Sequence, residues 1–205
     1  QNRSRNEGHR AGLNTVEIVI NQCINHNIKF LTLYTFSSEN WKRPKKEISF
    51  LFNLLETFLK KKINKLIEKD IKLHFIGELN KLPLKLQKLI QTSQKETQNN
   101  KLLQINIALN YGSKIELINS IKKIKKQKII LNIKNIDKNL YTRNIPDPEI
   151  LIRTGNTQRL SNFLLWQLAY TEIFFVKKLW PDFNANDFKK ILNIFKRIKR
   201  NFGSI

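Results

Sequence analysis

The hydrophobic positions of the chain alternate between two patterns, one typical of amphipathic helices and one typical of buried strands. In residues 10–26 apolar side chains recur every three or four positions, and residues 28–36 form a mostly apolar run. These segments predict a helix followed by a buried strand. The same patterns predict further helices at 48–69, 83–97, 113–126, 163–169 and 186–199, and further strands at 71–76, 103–109, 149–152 and 173–176.

Strands that are separated by helices predict an α/β fold, because right-handed crossovers place such strands side by side in parallel. We therefore expect a mostly parallel central sheet that is flanked by helices on both faces. A length of 205 residues suits one domain, so residues 1–205 are expected to form a single domain. Residues 125–144 are rich in lysine and asparagine and are expected to form a surface excursion within it.

The charge balance is strongly basic, with 38 Lys and Arg against 16 Asp and Glu and a formal net charge of +22. Such a charge attracts nucleic acid, so a basic nucleic-acid-binding protein is one hypothesis. Asparagine, isoleucine and lysine are enriched together, however, which an adenine- and thymine-rich coding bias also produces. The aromatic residues lie within apolar helix and strand patterns instead of at exposed stacking positions. We therefore favour compositional bias and expect no nucleic-acid partner.

Cysteine usage and hydropathy narrow the class of protein further. A single cysteine excludes a disulfide framework, and Cys23 is expected to be a small core residue. No uncharged apolar run approaches the roughly 18–20 residues of a membrane-spanning helix. We expect a cytoplasmic protein. The sequence contains no methionine, so the initiator is expected to lie upstream of Gln1.

Chemically rich segments follow two of the predicted strands, where parallel sheets gather their ligands. Residues 37–44 combine hydroxyls, an amide, an indole and a guanidinium. Residues 153–162 place Arg153, Arg159 and Ser161 before the helix that is predicted at 163–169. Guanidiniums beside a helix N-terminus predict an anion site, and its expected occupant is a phosphate or diphosphate. The alternatives are an ordinary capped turn for the first segment and a surface ion-pair loop for the second.

Three further residues add to this interpretation. Arg5 and His9 are four positions apart, so they share a face if the first helix already includes them. They can equally be solvated charges at a frayed terminus. Glu172 lies between two apolar segments, where a half-buried carboxylate requires a partner. That partner is either Mg²⁺ shared with diphosphate oxygens or a nearby cationic side chain.

These segments together resemble the cis-prenyltransferases, also called isoprenyl transferases, and most closely their bacterial undecaprenyl diphosphate synthase branch. The matching motifs keep their order over nearly the whole chain. They are GHRAG at 8–12, YTFSSENWKRP at 34–44, NYG at 110–112, RTG at 153–155, RLSNFLLWQ at 159–167, Glu172, LWPDF at 179–183 and FG at 202–203.

The resemblance implies an Mg²⁺-dependent transferase that condenses isopentenyl diphosphate with an allylic diphosphate such as farnesyl diphosphate. The product would be a cis-polyprenyl diphosphate, and more specifically the undecaprenyl carrier of cell-wall synthesis. The resemblance also implies a homodimer, with residues 173–183 as a plausible interface, and transient contact with the membrane surface during product release.

The resemblance assigns roles to individual residues as well. It implies that Asn40 accepts a proton, although a neutral amide is a poor base and released diphosphate is an alternative acceptor. It implies that Glu172 binds Mg²⁺. Allylic diphosphate would be held by Arg5 and His9, and isopentenyl diphosphate by Arg153, Arg159 and Ser161 with Leu160 between them. The other implied substrate-contacting and loop-ordering residues are Ser37, Ser38, Glu39, Trp41 and Arg43.

Two features depart from the family pattern. The family's Asp-Gly-Asn-Gly-Arg-Trp run, which carries an aspartate implied in catalysis and Mg²⁺ binding, is expected upstream of Arg5 and is not in this sequence. A natural protein without that run is expected to be inactive, and a non-catalytic subunit that supports a partner is therefore an alternative. Near the end, many relatives carry Arg-x-Gly where this chain has Asn201, Phe202 and Gly203.

Overall fold

The computed structural model describes the backbone of residues 5–201 and the side chains from Glu7 to Asn201. Phe202, Gly203 and the side chain of Arg5 lie outside the described residues. The elements in chain order are α1 (Arg5–Asn25), β1 (Phe30–Ser37), α2 (Lys45–Glu68), β2 (Ile71–Ile76), α3 (Leu84–Glu96), β3 (Leu103–Tyr111), α4 (Ser113–Gln127), α5 (Ile133–Asn139), β4 (Ile150–Arg153), β5 (Glu172–Phe175) and α6 (Ala185–Phe195).

The chain divides into two compact units. The central unit comprises residues 27–146, and the terminal unit comprises residues 1–26 together with 147–205. Each unit contains one parallel sheet, with three strands in the order β1-β3-β2 in the central unit and two strands, β4 and β5, in the terminal unit.

The core of the central unit is built around β3. This strand is apolar for most of its length and pairs in parallel with β1 on one side and β2 on the other. Five of the seven residues at 103–109 are apolar, which suits a strand with neighbours on both edges and buried on both faces. The polar exceptions are Gln104 and Asn106, and buried Asn106 donates from Nδ2 to Thr32 Oγ1 at 3.2 Å. Helix α2 contributes a stripe of buried side chains at helical spacing, namely Ile48, Phe52, Leu59 and Leu66.

In the terminal unit, α1 contacts the 3₁₀-helix Trp180–Asp182. The indole N–H of Trp180 donates to the Gly12 carbonyl at 2.9 Å. A Cβ at Gly12 would lie only 3.1 Å from Trp180 Cδ1, so a side chain at this position would press on the indole. Helix α6 begins with a capping box in which Asn184 accepts from its first turn and Asp187 accepts from the Asn184 N–H.

The predicted α/β class with parallel strands and flanking helices is confirmed, and all five predicted strands are present. The helix predicted at 163–169 is wrong, because these residues form turns. Ser161, Asn162 and Leu164 have φ values of 52°, 61° and 46°, which a right-handed helix does not allow.

Two smaller differences from the expected elements remain. The last helix ends at Phe195 instead of residue 199, and the predicted excursion at 125–144 contains the short helix α5. The assignment of residues 1–205 to one domain stays a prediction. Among residues 5–201, no helix combines the length and the hydropathy that crossing a bilayer requires.

Candidate functional site

The three strands of the central unit are parallel, so their carboxyl ends lie at the same edge of the sheet. The 3₁₀-helix Ser38–Lys42 follows β1, Gly77 follows β2 and Gly112 follows β3. These short segments bring the polar residues that the sequence placed after β1 next to residues that follow the other two strands. We call this region the β1 edge.

Asn110, near the end of β3, forms hydrogen bonds that connect the segments of the β1 edge. Its side chain is 2% exposed and its φ is 50°, a left-handed conformation that asparagine tolerates better than most residues. Its Oδ1 accepts from the indole N–H of Trp41 at 2.8 Å, and its Nδ2 donates to the Glu78 carbonyl at 2.9 Å. The Glu78 N–H in turn donates to the Asn110 carbonyl at 3.1 Å. One buried amide therefore joins the segment after β1 to the segment after β2.

Gly77 makes this close approach possible. Its φ is +129°, and a Cβ at this position would lie 2.1 Å from the Leu109 carbonyl oxygen. Both the backbone conformation and the lack of space require glycine. The backbone after β2 can therefore pass directly beside the end of β3.

The 3₁₀-helix after β1 is held by its own side chains. The Ser37 N–H donates to Asn40 Oδ1 at 3.0 Å, and Arg43 forms an ion pair with Glu47 at 3.0 Å. The Trp41 ring packs edge-on against Phe36 and Phe52, with centroid distances of 5.4 and 5.7 Å. Trp41 and Arg43 thus contact neighbouring residues of this segment, and their expected role in ordering it over substrate stays a prediction.

Ser38 is the unsatisfied group at the β1 edge. Its Oγ is buried and has no hydrogen-bond partner among the described residues. A buried hydroxyl without a partner costs free energy, and such groups call for a water, an ion or a ligand. Ser37 beside it is half-buried, and Glu39 is exposed.

The second cluster lies in the terminal unit, in the loop that follows β4. Arg153, the last residue of β4, donates from Nε to Thr157 Oγ1 at 3.0 Å and from Nη2 to Ser161 Oγ at 3.4 Å. Gly155, with φ +91°, donates its N–H to the Lys178 carbonyl at 2.7 Å, and Asn156 donates to the Val176 carbonyl at 3.2 Å. The loop is thus fixed by backbone bonds, and it brings Arg153 and Ser161 together as expected. We call this region the β4 loop.

Arg159 is a solvent-exposed cation in the β4 loop. It is exposed and forms no hydrogen bond or ion pair with any residue in the described part of the chain, while Leu160 beside it is half-buried. No helix begins after Ser161, so the expected help of a helix N-terminus to anion binding is wrong. The loop carries two guanidiniums and a hydroxyl, of which Arg153 and Ser161 are hydrogen-bonded to each other and Arg159 lies two residues before Ser161. These groups are ones that bind anions.

Glu172 lies apart from this cluster. It is the first residue of β5 and pairs with Ile150, whereas Arg153 pairs with Phe175. Because side chains alternate along a strand, this register puts Glu172 and Arg153 on opposite faces of the two-stranded sheet. The Glu172 carboxylate is half-buried and forms no hydrogen bond or ion pair within residues 7–201. It is not brought to Arg153, so the idea that a cationic neighbour neutralises it is wrong for the described residues.

The remaining predicted residues lie in α1. The helix begins at Arg5, so Arg5 and His9 have the spacing of one helical face, and His9 is half-buried. Cys23 is buried, and burial raises the pKa of its thiol to about 12, which keeps it protonated. Its predicted role as a core residue is confirmed.

Several organising residues were not anticipated from the sequence. Asn110 and Tyr111 belong to a motif that was noted without a structural role, and Gly77 and Thr157 were not singled out. Glu116, 1% exposed, accepts hydrogen bonds from the Tyr111 hydroxyl and from the Tyr141 N–H. The sequence signal that could have indicated Asn110 is a polar residue near the end of a mostly apolar strand. A polar side chain is buried at such a position only where it has a hydrogen-bond partner.

Comparison with known proteins tests the resemblance to the prenyltransferases independently of the site geometry. A prenyltransferase family model, described as undecaprenyl diphosphate synthase, matches residues 1–203. The isoprenyl transferase of Oceanobacillus iheyensis is 43% identical over 205 residues, which cover 97% of this chain and 81% of that protein. The isoprenyl transferase of Rickettsia typhi is 43% identical over 206 residues, which cover 98% of this chain and 90% of that protein.

Two solved structures share the fold. A probable undecaprenyl diphosphate synthase from Campylobacter jejuni superposes with a TM-score of 0.87 at 37% identity, covering 95% of this chain and 93% of the other. Lavandulyl diphosphate synthase from Lavandula x intermedia, solved in complex with dimethylallyl diphosphate, superposes with a TM-score of 0.93 at 33% identity. That match covers 98% of this chain and 90% of the other.

Proposed function

The chain belongs to the undecaprenyl diphosphate synthase family of prenyltransferases, and from this premise we propose that it condenses isopentenyl diphosphate with an allylic diphosphate. Repeated condensation would yield a cis-polyprenyl diphosphate, and we propose the undecaprenyl carrier of cell-wall synthesis as the product. Farnesyl diphosphate is the proposed allylic primer.

The observation that carries this proposal is the β4 loop. Arg153 is oriented by Thr157 and Ser161, and Arg159 presents a second guanidinium that no described residue neutralises. A guanidinium forms paired hydrogen bonds with phosphate oxygens, so two of them with a hydroxyl suit a diphosphate. We assign the diphosphate of isopentenyl diphosphate to Arg153, Arg159 and Ser161, and the allylic diphosphate to Arg5 and His9.

The proposed chemistry begins with loss of the allylic diphosphate, which leaves a resonance-stabilised cation. Donors that hold the departing anion lower the barrier of this step. The incoming isopentenyl unit then forms the new carbon–carbon bond and loses a proton. We assign Asn40 to this proton transfer. Because Asn40 Oδ1 already accepts the Ser37 N–H, released diphosphate beside the amide is the better base.

The β1 edge would supply the remaining contacts with substrate. We propose that Ser37, Ser38 and Glu39 contact it, because the buried Ser38 Oγ lacks a partner that a ligand oxygen could provide. Trp41 and Arg43 would then hold this segment in its binding conformation through their bonds to Asn110 and Glu47.

Mg²⁺ is the proposed cofactor, and Glu172 is its proposed protein ligand. Residues 7–201 contain no group of three or more His, Cys, Asp or Glu side chains that could hold a metal. Mg²⁺ nevertheless commonly binds one or two carboxylates together with substrate phosphates, and Glu172 is a half-buried carboxylate without a described partner. The ion would neutralise charge on diphosphate.

We further propose that the protein is a cytoplasmic homodimer that meets the membrane surface when product is released. Ile173, Phe175 and Leu179 are exposed apolar residues on and after β5. A second copy of the chain that covers them would remove this apolar surface from water.

The test is incorporation of labelled isopentenyl diphosphate by the full-length protein with farnesyl diphosphate and Mg²⁺. Arg153→Ala and Arg159→Ala should each lower kcat/KM by about a hundredfold, the scale of losing one charge-stabilising donor. Arg197→Ala is the matched control, because it removes an exposed arginine from the end of the chain and should change kcat/KM less than about twofold. Equal incorporation by wild type and Arg153→Ala would contradict the assignment.

Glu172→Gln tests the metal role separately. This variant keeps the size of the side chain and removes its charge. The Mg²⁺ concentration that gives half-maximal activity should rise by about tenfold or more, because one carboxylate ligand is lost. An unchanged Mg²⁺ dependence would remove Glu172 from the metal site and leave the diphosphate assignment intact.

A further inference from the structure

The central unit carries an exposed surface on which aliphatic and lysine side chains alternate. We define it as the 118–134 surface, which comprises the outer face of α4, the turn after it and the start of α5. Its exposed aliphatic residues are Ile118, Ile121, Ile129, Ile130, Leu131 and Ile133, and its lysines are Lys122, Lys125, Lys126, Lys128 and Lys134.

The aliphatic residues on α4 face away from the core. The buried positions of this helix are Ser113, Glu116, Ser120 and Ile124. At 100° per residue, Ile118 falls on the side opposite these buried positions and Ile121 on the flank, in one stripe with Lys122 and Lys125. This stripe combines apolar and charged side chains, and it does not face the core of the central unit.

Three more exposed aliphatic residues lie in the turn after α4 and at the start of α5. Ile130 and Leu131 are 77% and 58% exposed, and Ile133, at the start of α5, is 69% exposed. Asn135 Nδ2 donates to the Ile130 carbonyl at 2.8 Å, and Asn132 caps α5 by accepting the Asn135 N–H at 2.9 Å. The turn is thus built by specific bonds, and its apolar side chains remain in water despite the cost of exposing them.

The charge of this surface has one sign. No carboxylate lies between Glu116 and Asp137, and Lys122, Lys125 and Lys126 form no ion pair with any described residue. A partner must therefore supply negative charge and hydrocarbon together. The segment also has no aromatic residue between Gly112 and Tyr141, which disfavours nucleic acid because bases bind single-stranded sites by stacking on aromatic rings.

We propose that the 118–134 surface docks the protein on a bilayer that contains anionic lipids. The aliphatic tips of the turn enter the boundary between headgroups and acyl chains, while the lysines contact the headgroup charges. The inference deepens the membrane contact given under the proposed function by naming its surface and its lipid charge. Its observations are exposure and charge, so failure of the vesicle test would leave the proposed reaction intact.

The test is co-sedimentation of the full-length protein with vesicles of phosphatidylcholine alone or mixed with phosphatidylglycerol. Wild type should bind the mixed vesicles and bind pure phosphatidylcholine at least about tenfold more weakly, because each lysine near an anionic surface contributes roughly fivefold in affinity. Replacing Ile130 and Leu131 together by serine should weaken binding by about tenfold or more. Ile194→Ser is the control for exposed apolar area, since Ile194 is 53% exposed and lies in the terminal unit.

A charge-matched pair distinguishes docking from general attraction. Lys125→Gln with Lys126→Gln should weaken binding by about tenfold or more, whereas Lys60→Gln with Lys61→Gln on α2 removes the same charge and should have a clearly smaller effect. Equal losses from the two pairs would overturn the proposal in favour of net charge. Vesicle binding that survives the Ile130 and Leu131 replacements would overturn the proposal as well. So would a wild-type protein that binds a single-stranded RNA and that the mixed vesicles do not retain.

Discussion

The β1 edge and the β4 loop are both polar regions at strand ends, but they are held in different ways. At the β1 edge, side chains bind one another and buried backbone groups, as in the bonds of Asn110 to Trp41 and Glu78. In the β4 loop, backbone bonds from Gly155 and Asn156 and left-handed residues such as Ser161 fix the chain. The guanidinium of Arg159 is left without a described partner.

The two regions illustrate two ways in which a protein can hold the residues of a binding site. A network of satisfied buried polar groups fixes a surface, and removing one member is costly because the others lose their partners. A backbone-held loop can carry an uncompensated charge at little cost while that charge stays in water, so the charge is available to a ligand. Substitutions at the β1 edge should therefore affect stability first, and substitutions in the β4 loop should affect anion binding first.

The largest expected effect comes from a pair of glycines, one in each region. Gly77→Ala should destabilise the protein by about 3 kcal/mol or more, because the new Cβ meets the Leu109 carbonyl at 2.1 Å and the backbone has φ +129°. Gly155→Ala should cost only about 1 kcal/mol, because φ is +91° but nothing lies within 4 Å of the new Cβ. Urea unfolding of both variants measures the difference. Equal losses would show that space at Gly77 is not limiting.

The next effect concerns the link between Asn110 and Trp41. Asn110→Ala should cost about 2–3 kcal/mol, since it leaves the Trp41 indole N–H and the Glu78 carbonyl without their shared partner. Trp41→Phe should cost less, because Trp41 is 41% exposed and only one bond is lost. In a double-mutant cycle by urea unfolding the two changes should couple by about 1 kcal/mol. Strictly additive losses would mean that the indole bond contributes nothing.

The sequence predicted the strands well and the β1 edge in part. Short, mostly apolar segments such as 103–109 indicate a buried strand, although this one includes the polar residues Gln104 and Asn106. The residues after β1 were found because their side-chain chemistry is unusual. The residues that hold them are distant in sequence, with Asn110 on β3 and Glu78 in the segment after β2, so local patterns do not reveal them.

The β4 loop shows where the local pattern fails. The apolar residues at 163–169 have the composition of a buried helix, but left-handed conformations at Ser161, Asn162 and Leu164 direct the chain into turns. Four of their side chains are still buried, namely Phe163, Leu164, Gln167 and Leu168. Apolar composition reports burial and does not by itself distinguish a helix from packed turns. The separation of Glu172 from Arg153 also depends on the register of β5 with β4, which alternation along a single strand does not fix.

The arginines of the β4 loop should contribute little to stability. Arg159→Ala should change the free energy of unfolding by less than about 0.5 kcal/mol, and Arg153→Ala by about 1 kcal/mol, because only Arg153 has protein partners. Inorganic diphosphate should raise the Tm of wild type, since a ligand that binds the folded state stabilises it. The shift should be smaller in either variant and unchanged in Arg197→Ala. A full shift in Arg159→Ala would exclude this guanidinium from anion binding.

The smallest expected effect is a pH dependence that originates away from both regions. Burial lowers the pKa of His74 on β2 below its usual 6.5, with Lys72 and Arg143 acting in the same direction and a backbone hydrogen bond with Tyr141 opposing them. The unfolded state then binds the proton more tightly, so the stability that neutral His74 provides is fully present above about pH 6.5 and declines as the pH falls toward the folded pKa.

His74→Gln should remove this part of the decline. Urea unfolding of wild type and variant across that window gives the two slopes. The lowered pKa of Asp187, which Lys178 holds down through a hydrogen bond, acts only below its usual value of 3.8 and does not interfere. Parallel slopes would mean that His74 titrates alike in the folded and unfolded chain.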